Sequence, residues 1–120
     1  LGDRQIIKNR AQRLDVRLDG IRLIEPERSD DIDLFLPMID ALPRFADLSA
    51  DQKKEMILDR HNFAALMLAS SQADALVGGA TIEAASGLRS IFRIVPFQSG
   101  VKSASSMLVL DMENSPLGIE

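Results

Sequence analysis

Asp74-Ala75-Leu76-Val77-Gly78-Gly79-Ala80 is a brief apolar run that closes on small side chains, with helical periodicity on both sides of it. A short run that is apolar without alternation suits an interior parallel strand, buried on both faces, whose carboxyl end meets a crowded loop. Such a strand cannot stand alone: its amides and carbonyls need neighbours in a sheet, and a parallel sheet needs helices crossing over its faces.

The rest of the chain reads as that kind of alternation. Asp3 can accept from free amides at a helix start, and Ile6, Ile7, Arg10 and Leu14 follow at helical spacing, which predicts a helix near residues 3–15. Asp19-Gly20 turns the chain, and Ile21 and Leu23 flank Arg22 before Ile24-Glu25-Pro26, a short predicted strand with a proline stop. Ser29-Asp30-Asp31 is a start signal for a second helix near 30–41, rich in Ile32, Leu34, Phe35, Leu36, Met38 and Ile39, and Pro43 ends it. Ser49-Ala50-Asp51-Gln52 is a capping box, so a long third helix is predicted from there to about Ser70. After the 74–80 run, Ser86 can cap a helix carrying Leu88, Ile91, Phe92 and Val95 until Pro96 stops it. Ser105-Ser106-Met107-Leu108-Val109-Leu110 reads as a last buried strand. The expected class is therefore α/β, three layers around a small, mostly parallel sheet. Two or three strands leave exposed edges, so residues 1–120 are expected to be a single partial domain. A chain that opens at Leu1-Gly2 without an initiator Met is expected to be cut from something longer.

Composition narrows the function classes. Hydrophobic residues make up 46% and charged residues 27% of the 120 residues, ordinary globular usage rather than a disordered or membrane composition. A formal charge of -4 and scattered basic residues disfavour nucleic acid as a partner. The absence of Cys removes disulfides, thiolate metal sites and a cysteine nucleophile, and fits a reducing compartment; a cytoplasmic location is the expectation. Nothing reads as a signal peptide or a membrane span, so no membrane partner is expected.

Ligands of open parallel sheets bind beyond the strands' carboxyl ends, where helix amino termini aim their amides. Gly78, Gly79 and Ala80 sit at such an end, and Arg89 falls in or near the first turn of the following helix, with donors suited to phosphate or carboxylate. Spacing alone leaves the plainer alternative open, a tight turn followed by a surface charge. His61, the sole histidine, reads as a structural residue of the third helix, and Asp30, Asp31 and Asp33 as carboxylates complementing a helix amino end, so no metal is assigned.

The order of these segments resembles the phosphate acetyl/butyryltransferase (phosphotransacetylase) family. The likeness is carried by Ala73-Asp74-Ala75-Leu76-Val77-Gly78-Gly79-Ala80, then Ser86-Gly87-Leu88-Arg89, Ile94-Val95 and the Ser/Ala-rich Ser103-Ala104-Ser105-Ser106-Met107-Leu108. Upstream it includes the segment closing on Glu25-Pro26, Leu42 with Arg44, and the capping box ahead of Met56 and Leu66-Met67-Leu68. The family transfers an acyl group between coenzyme A and inorganic phosphate. The resemblance therefore implies acyl-CoA and phosphate or acyl phosphate as partners, coenzyme A as a substrate with no separate cofactor, and a homo-oligomer. It implies a substrate-binding set of Arg89, Arg44, Gly78, Gly79, Ala80 and Ser86. Arg44 is matched through a shift of one, because Pro43 stands where the family has its arginine after the leucine. Thr81-Ile82-Glu83 and Ser90 also depart from the family's usual residues. The family's Ser-Arg-Gly signature and catalytic aspartate are not in this chain, so no catalytic residue is assigned. An acetyl-CoA-sensing regulatory domain of a malic enzyme is the alternative implied by the same resemblance.

Overall fold

A computed structural model describes residues 1–79, 83–107 and 109 of the chain. Five α-helices occur among them: α1 Arg4–Arg13, α2 Asp31–Asp40, α3 Ala50–Leu58, α4 Arg60–Ala69 and α5 Ala84–Ile94. Single 3-10 turns at Pro26–Arg28 and Pro43–Phe45 precede α2 and α3.

Two helix starts, at Asp3 and at Ser49, follow their predicted chemistry. Asp3 accepts the Ile6 amide at 2.7 Å. Ser49 and Gln52 complete the capping box reciprocally, Ser49 N–H to Gln52 Oε1 at 2.9 Å and Gln52 N–H to Ser49 Oγ at 3.3 Å. Val95, the residue before Pro96, leaves the helical region at ψ 121, as proline's clash with its predecessor requires, and α5 stops there.

The long third helix is two helices. Asp59 adopts φ -62, ψ 128, and its Oδ1 accepts the amides of His61 at 3.0 Å and Asn62 at 3.1 Å, so it ends α3 and caps α4 at once. Asn62 Nδ2 reaches back to the Met56 carbonyl at 2.9 Å, satisfying one of the carbonyls that α3 leaves open. The predicted far end near Ser70 agrees with a last helical residue at Ala69.

The α/β expectation is corrected by the absence of any strand or sheet among the described residues. Along the predicted 21–24 strand, the Leu23 carbonyl takes the Arg4 guanidinium at 3.2 Å and the Ile24 carbonyl takes the Gly2 amide at 2.9 Å. Isolated donors replace a ladder. Gly2 makes that approach at φ +131, a conformation L side chains rarely adopt. The predicted 74–80 strand has no backbone bond from residues 74–79 to another segment among the described residues, and Val77 is 100% exposed. A strand is stable only when a neighbour completes its hydrogen bonds, and among the described residues neither run has one alongside it. Ser105, Ser106, Met107 and Val109 of the last predicted strand also lack regular structure, while Leu108 and Leu110 lie outside the described residues.

The core instead lies between helices. Phe35 and Ile39 on α2, Phe45 on the second 3-10 turn, Ile57 on α3, Phe63, Ala65 and Leu66 on α4 and Ile94 on α5 form one buried cluster with Ile24. The Phe35 and Phe63 rings meet edge to face with centroids 5.0 Å apart, the arrangement favoured by aromatic quadrupoles. Consecutive helices α2, α3, α4 and α5 pack on one another in chain order. Lys53 Nζ on α3 adds an ion pair to Asp40 Oδ1 at the end of α2, at 2.7 Å.

Candidate functional site

α5 and the Pro43–Phe45 turn carry three of the six expected site residues, Ser86 and Arg89 on the helix and Arg44 on the turn. The amphipathic pattern of α5 explains its seating: Ile94 is buried and Gly87, Ser90 and Ile91 are half-buried, whereas Leu88, Arg89, Phe92 and Arg93 are exposed. α4 covers the buried side. Arg44 Nη1 donates to the Phe92 carbonyl at 2.8 Å across a separation of 48 residues. Phe92 lies in the last turn of α5, where carbonyls lack partners and the helix end carries partial negative charge, so a guanidinium there is favourable on both counts. Arg93 extends in the opposite sense, its Cζ 4.9 Å from the centroid of the Phe45 ring.

Arg89 differs from both. It is exposed, and its side chain has no hydrogen bond or ion pair among the described residues. It is the sixth residue of α5, in the second turn, because the helix begins earlier than expected. Ser86 is not the cap: Glu83 holds that position, and Ser86 is the third helical residue, its amide donating to the Glu83 carbonyl at 2.9 Å. Alanine is the best helix former, so Ala84 and Ala85 carry the helix back past Ser86. Gly78 and Gly79 are exposed and end the segment that follows α4; no hydrogen bond among the described residues joins them to α5. Gly79 has φ +104, and among the described residues, its chain neighbours aside, nothing lies within 4 Å of where a Cβ would stand. Ala80 lies outside the described residues.

The sequence reading missed Arg93 and Phe45. Both are visible in retrospect as a second arginine one helical turn after Arg89 and an aromatic residue directly after Arg44. His61 lies on α4, half-buried, with Nδ1 3.8 Å from Asp59 Oδ1. Among the described residues no group of three or more His, Cys, Asp or Glu side chains is placed to hold a metal ion. No helix among them is long and apolar enough to cross a membrane.

The sequence pattern of the phosphate acetyl/butaryl transferase family matches residues 1–118. The chain belongs to that family. Among curated relatives, the phosphate acetyltransferase of Treponema pallidum (strain Nichols) is 35% identical over 118 residues, and that of Thermoanaerobacterium thermosaccharolyticum is 30% identical over 118 residues. Each alignment takes in 98% of this chain and 35% of the relative. A third phosphate acetyltransferase, from Nitratidesulfovibrio vulgaris, is 25% identical over 117 residues, 98% of this chain and 17% of its own length. The chain thus spans about a third of the length of the first two relatives it matches. The family match extends through α5 and the Pro43–Phe45 turn, so the arginine cluster lies within the region shared with those enzymes.

Proposed function

We propose that this chain is part of a phosphate acyltransferase that moves an acyl group between coenzyme A and inorganic phosphate, with Arg89 as the guanidinium that meets the phosphate group. In the direction from acyl-CoA, a phosphate oxygen attacks the thioester carbonyl carbon and the carbon–sulfur bond breaks. The departing thiolate takes up the proton that phosphate gives up, leaving acyl phosphate and free coenzyme A. The obstacle is charge: a doubly negative nucleophile must approach a centre that is expelling another anion. A positioned guanidinium lowers that barrier by neutralising phosphate and orienting it.

One observation carries the choice of residue. Of the three arginines around α5, Arg44 is bonded to the Phe92 carbonyl and Arg93 lies on the Phe45 ring, while Arg89 is exposed with its donors uncommitted among the described residues. Its planar fork can place two N–H groups on one phosphate. Arg44 joins the proposed set through its remaining donors, next to α5. Gly78, Gly79, Ala80 and Ser86 complete it, Gly79 contributing backbone that a ligand can approach without meeting a side chain. The homo-oligomer, the cytoplasmic setting and the use of coenzyme A as substrate belong to the same proposal. The relatives are each named phosphate acetyltransferase, so the malic enzyme alternative gains no support from them.

Substitution of Arg89 in the full-length protein tests this. Losing a charge-assisted hydrogen bond costs about 1.5–3 kcal/mol, so Arg89→Ala should raise the KM for phosphate or for coenzyme A by roughly ten- to a hundredfold, with the unfolding midpoint unchanged. Arg89→Lys, a point charge without the fork, should fall between. Unaltered saturation by both substrates in Arg89→Ala would refute the assignment.

A further inference from the structure

α5 carries two arginines one turn apart, and among the described residues only the second is engaged. The Arg93 guanidinium rests on Phe45, whose ring is 1% exposed and fixed in the core cluster that also holds Ile39 and Ile94. From the residue beside Phe45, Arg44 reaches the other way to the Phe92 carbonyl. The Pro43–Phe45 turn therefore grips α5 at two points, once by its backbone and once by a side chain. These two contacts add to the packing of α5 on α4 and to the burial of Ile94 in holding the helix.

Arg89 stands four residues before Arg93, one turn up on the same side of the helix. Any rotation that lifts Arg93 from the ring swings Arg89 through the same angle. Like charges at this spacing also repel, and seating the Arg93 guanidinium on an aromatic face holds its charge toward the turn.

We propose that Arg93 is a positioning residue for the anion site: its contact with Phe45 sets where the Arg89 guanidinium lies and leaves it as the cation of that face open to a substrate phosphate group. This rests on the reading of Arg89 given above. A cation over a ring at a partly exposed position shifts an equilibrium by a factor of about two to five.

The test is a cycle in the full-length protein: kcat and the KM values for inorganic phosphate and acetyl-CoA, for Arg93→Gln, Arg93→Lys, Arg89→Ala and each Arg93 variant combined with Arg89→Ala. Arg93→Gln should raise one KM by about two- to fivefold with kcat unchanged. Arg93→Lys, which can still place a cation on the ring, should restore it. In the Arg89→Ala background Arg93→Gln should add nothing, because its effect runs through the residue already removed. The KM that moves identifies whether the phosphate group is free phosphate or belongs to coenzyme A. If Arg89→Ala raises a KM but Arg93→Gln leaves both unchanged, or if the two effects multiply, the positioning role is overturned and the reading of Arg89 stands. If Arg89→Ala changes neither KM, that reading falls and the positioning role with it.

Discussion

Asp59→Ala isolates the feature on which the helical arrangement turns. In the native chain Asp59 Oδ1 accepts two amides, from His61 and Asn62, that α4 cannot satisfy internally, and the residue's extended backbone redirects the chain between α3 and α4. Alanine cannot accept, so both amides turn to water. Water is available there, because the Asp59 side chain is about half exposed, which puts the loss at the lower part of the range for N-cap removal, about 1 kcal/mol. For a domain of this size, with a urea dependence of roughly 1.5 kcal/mol per molar, the midpoint should fall by about 0.7 M. Alanine also favours a continuous helix, which would carry Phe63 and Leu66 away from Phe35 and Ile57, so the cost should not drop below the cap term. Asp59→Asn keeps an accepting oxygen, and asparagine caps about as well as aspartate, so it should stay within a few tenths of a kcal/mol of the parent. Urea unfolding followed by far-ultraviolet circular dichroism reads all three proteins. An alanine variant as stable as the parent, or an asparagine variant as weak as the alanine one, would refute the assignment of the break to this cap.

Two further substitutions probe the ends of helices. Arg44→Ala removes the bond to the Phe92 carbonyl and a favourable charge at the end of α5, worth about 1 kcal/mol at an exposed site, so the melting temperature should drop by a few degrees; an unchanged value would show that the bond adds no stability. Ser71→Gly should stabilise by up to about 1 kcal/mol, since Ser71 holds φ 60 after α4, and a destabilised glycine variant would contradict that account.

Ser71 also explains which boundaries could be read in advance. The Gln72 amide bonds to the Met67 carbonyl at 2.9 Å and the Ser71 amide to Leu68 at 3.1 Å, the Schellman pattern usually announced by glycine. α1 ends the same way, with Asp15 at φ 53 and Val16 N–H on the Ala11 carbonyl at 2.8 Å. Stops of this kind carry no glycine signal, and only the end of the apolar spacing points to a stop near Ser70. The starts at Asp3 and at the Ser49–Gln52 box are legible, since both act through side chains within four residues, whereas α5 starts ahead of the expected cap Ser86. Asp59 is also a local cap, but it was hidden by helical spacing on both sides, which masks a break whose direction only the backbone angle reveals.

The lack of a sheet among the described residues is not legible in the sequence for a different reason. Apolar runs such as 21–24 and 74–80 report a preference for burial, and burial can be met by helices or by strands; what makes a strand is a partner's backbone at the right spacing, which is a property of distant segments. Among the described residues those partners are not brought alongside, and the buried positions are filled by Phe35, Ile39, Ile57, Phe63 and Leu66 from helices whose apolar faces meet one another. The arginine cluster shows the same division. That Arg89 has donors suited to an anion is legible as a residue type, but its standing apart from Arg44 and Arg93 is not. That distinction depends on two contacts between residues 44 and 92 and between residues 45 and 93, pairings that helix packing creates and spacing along the chain does not encode.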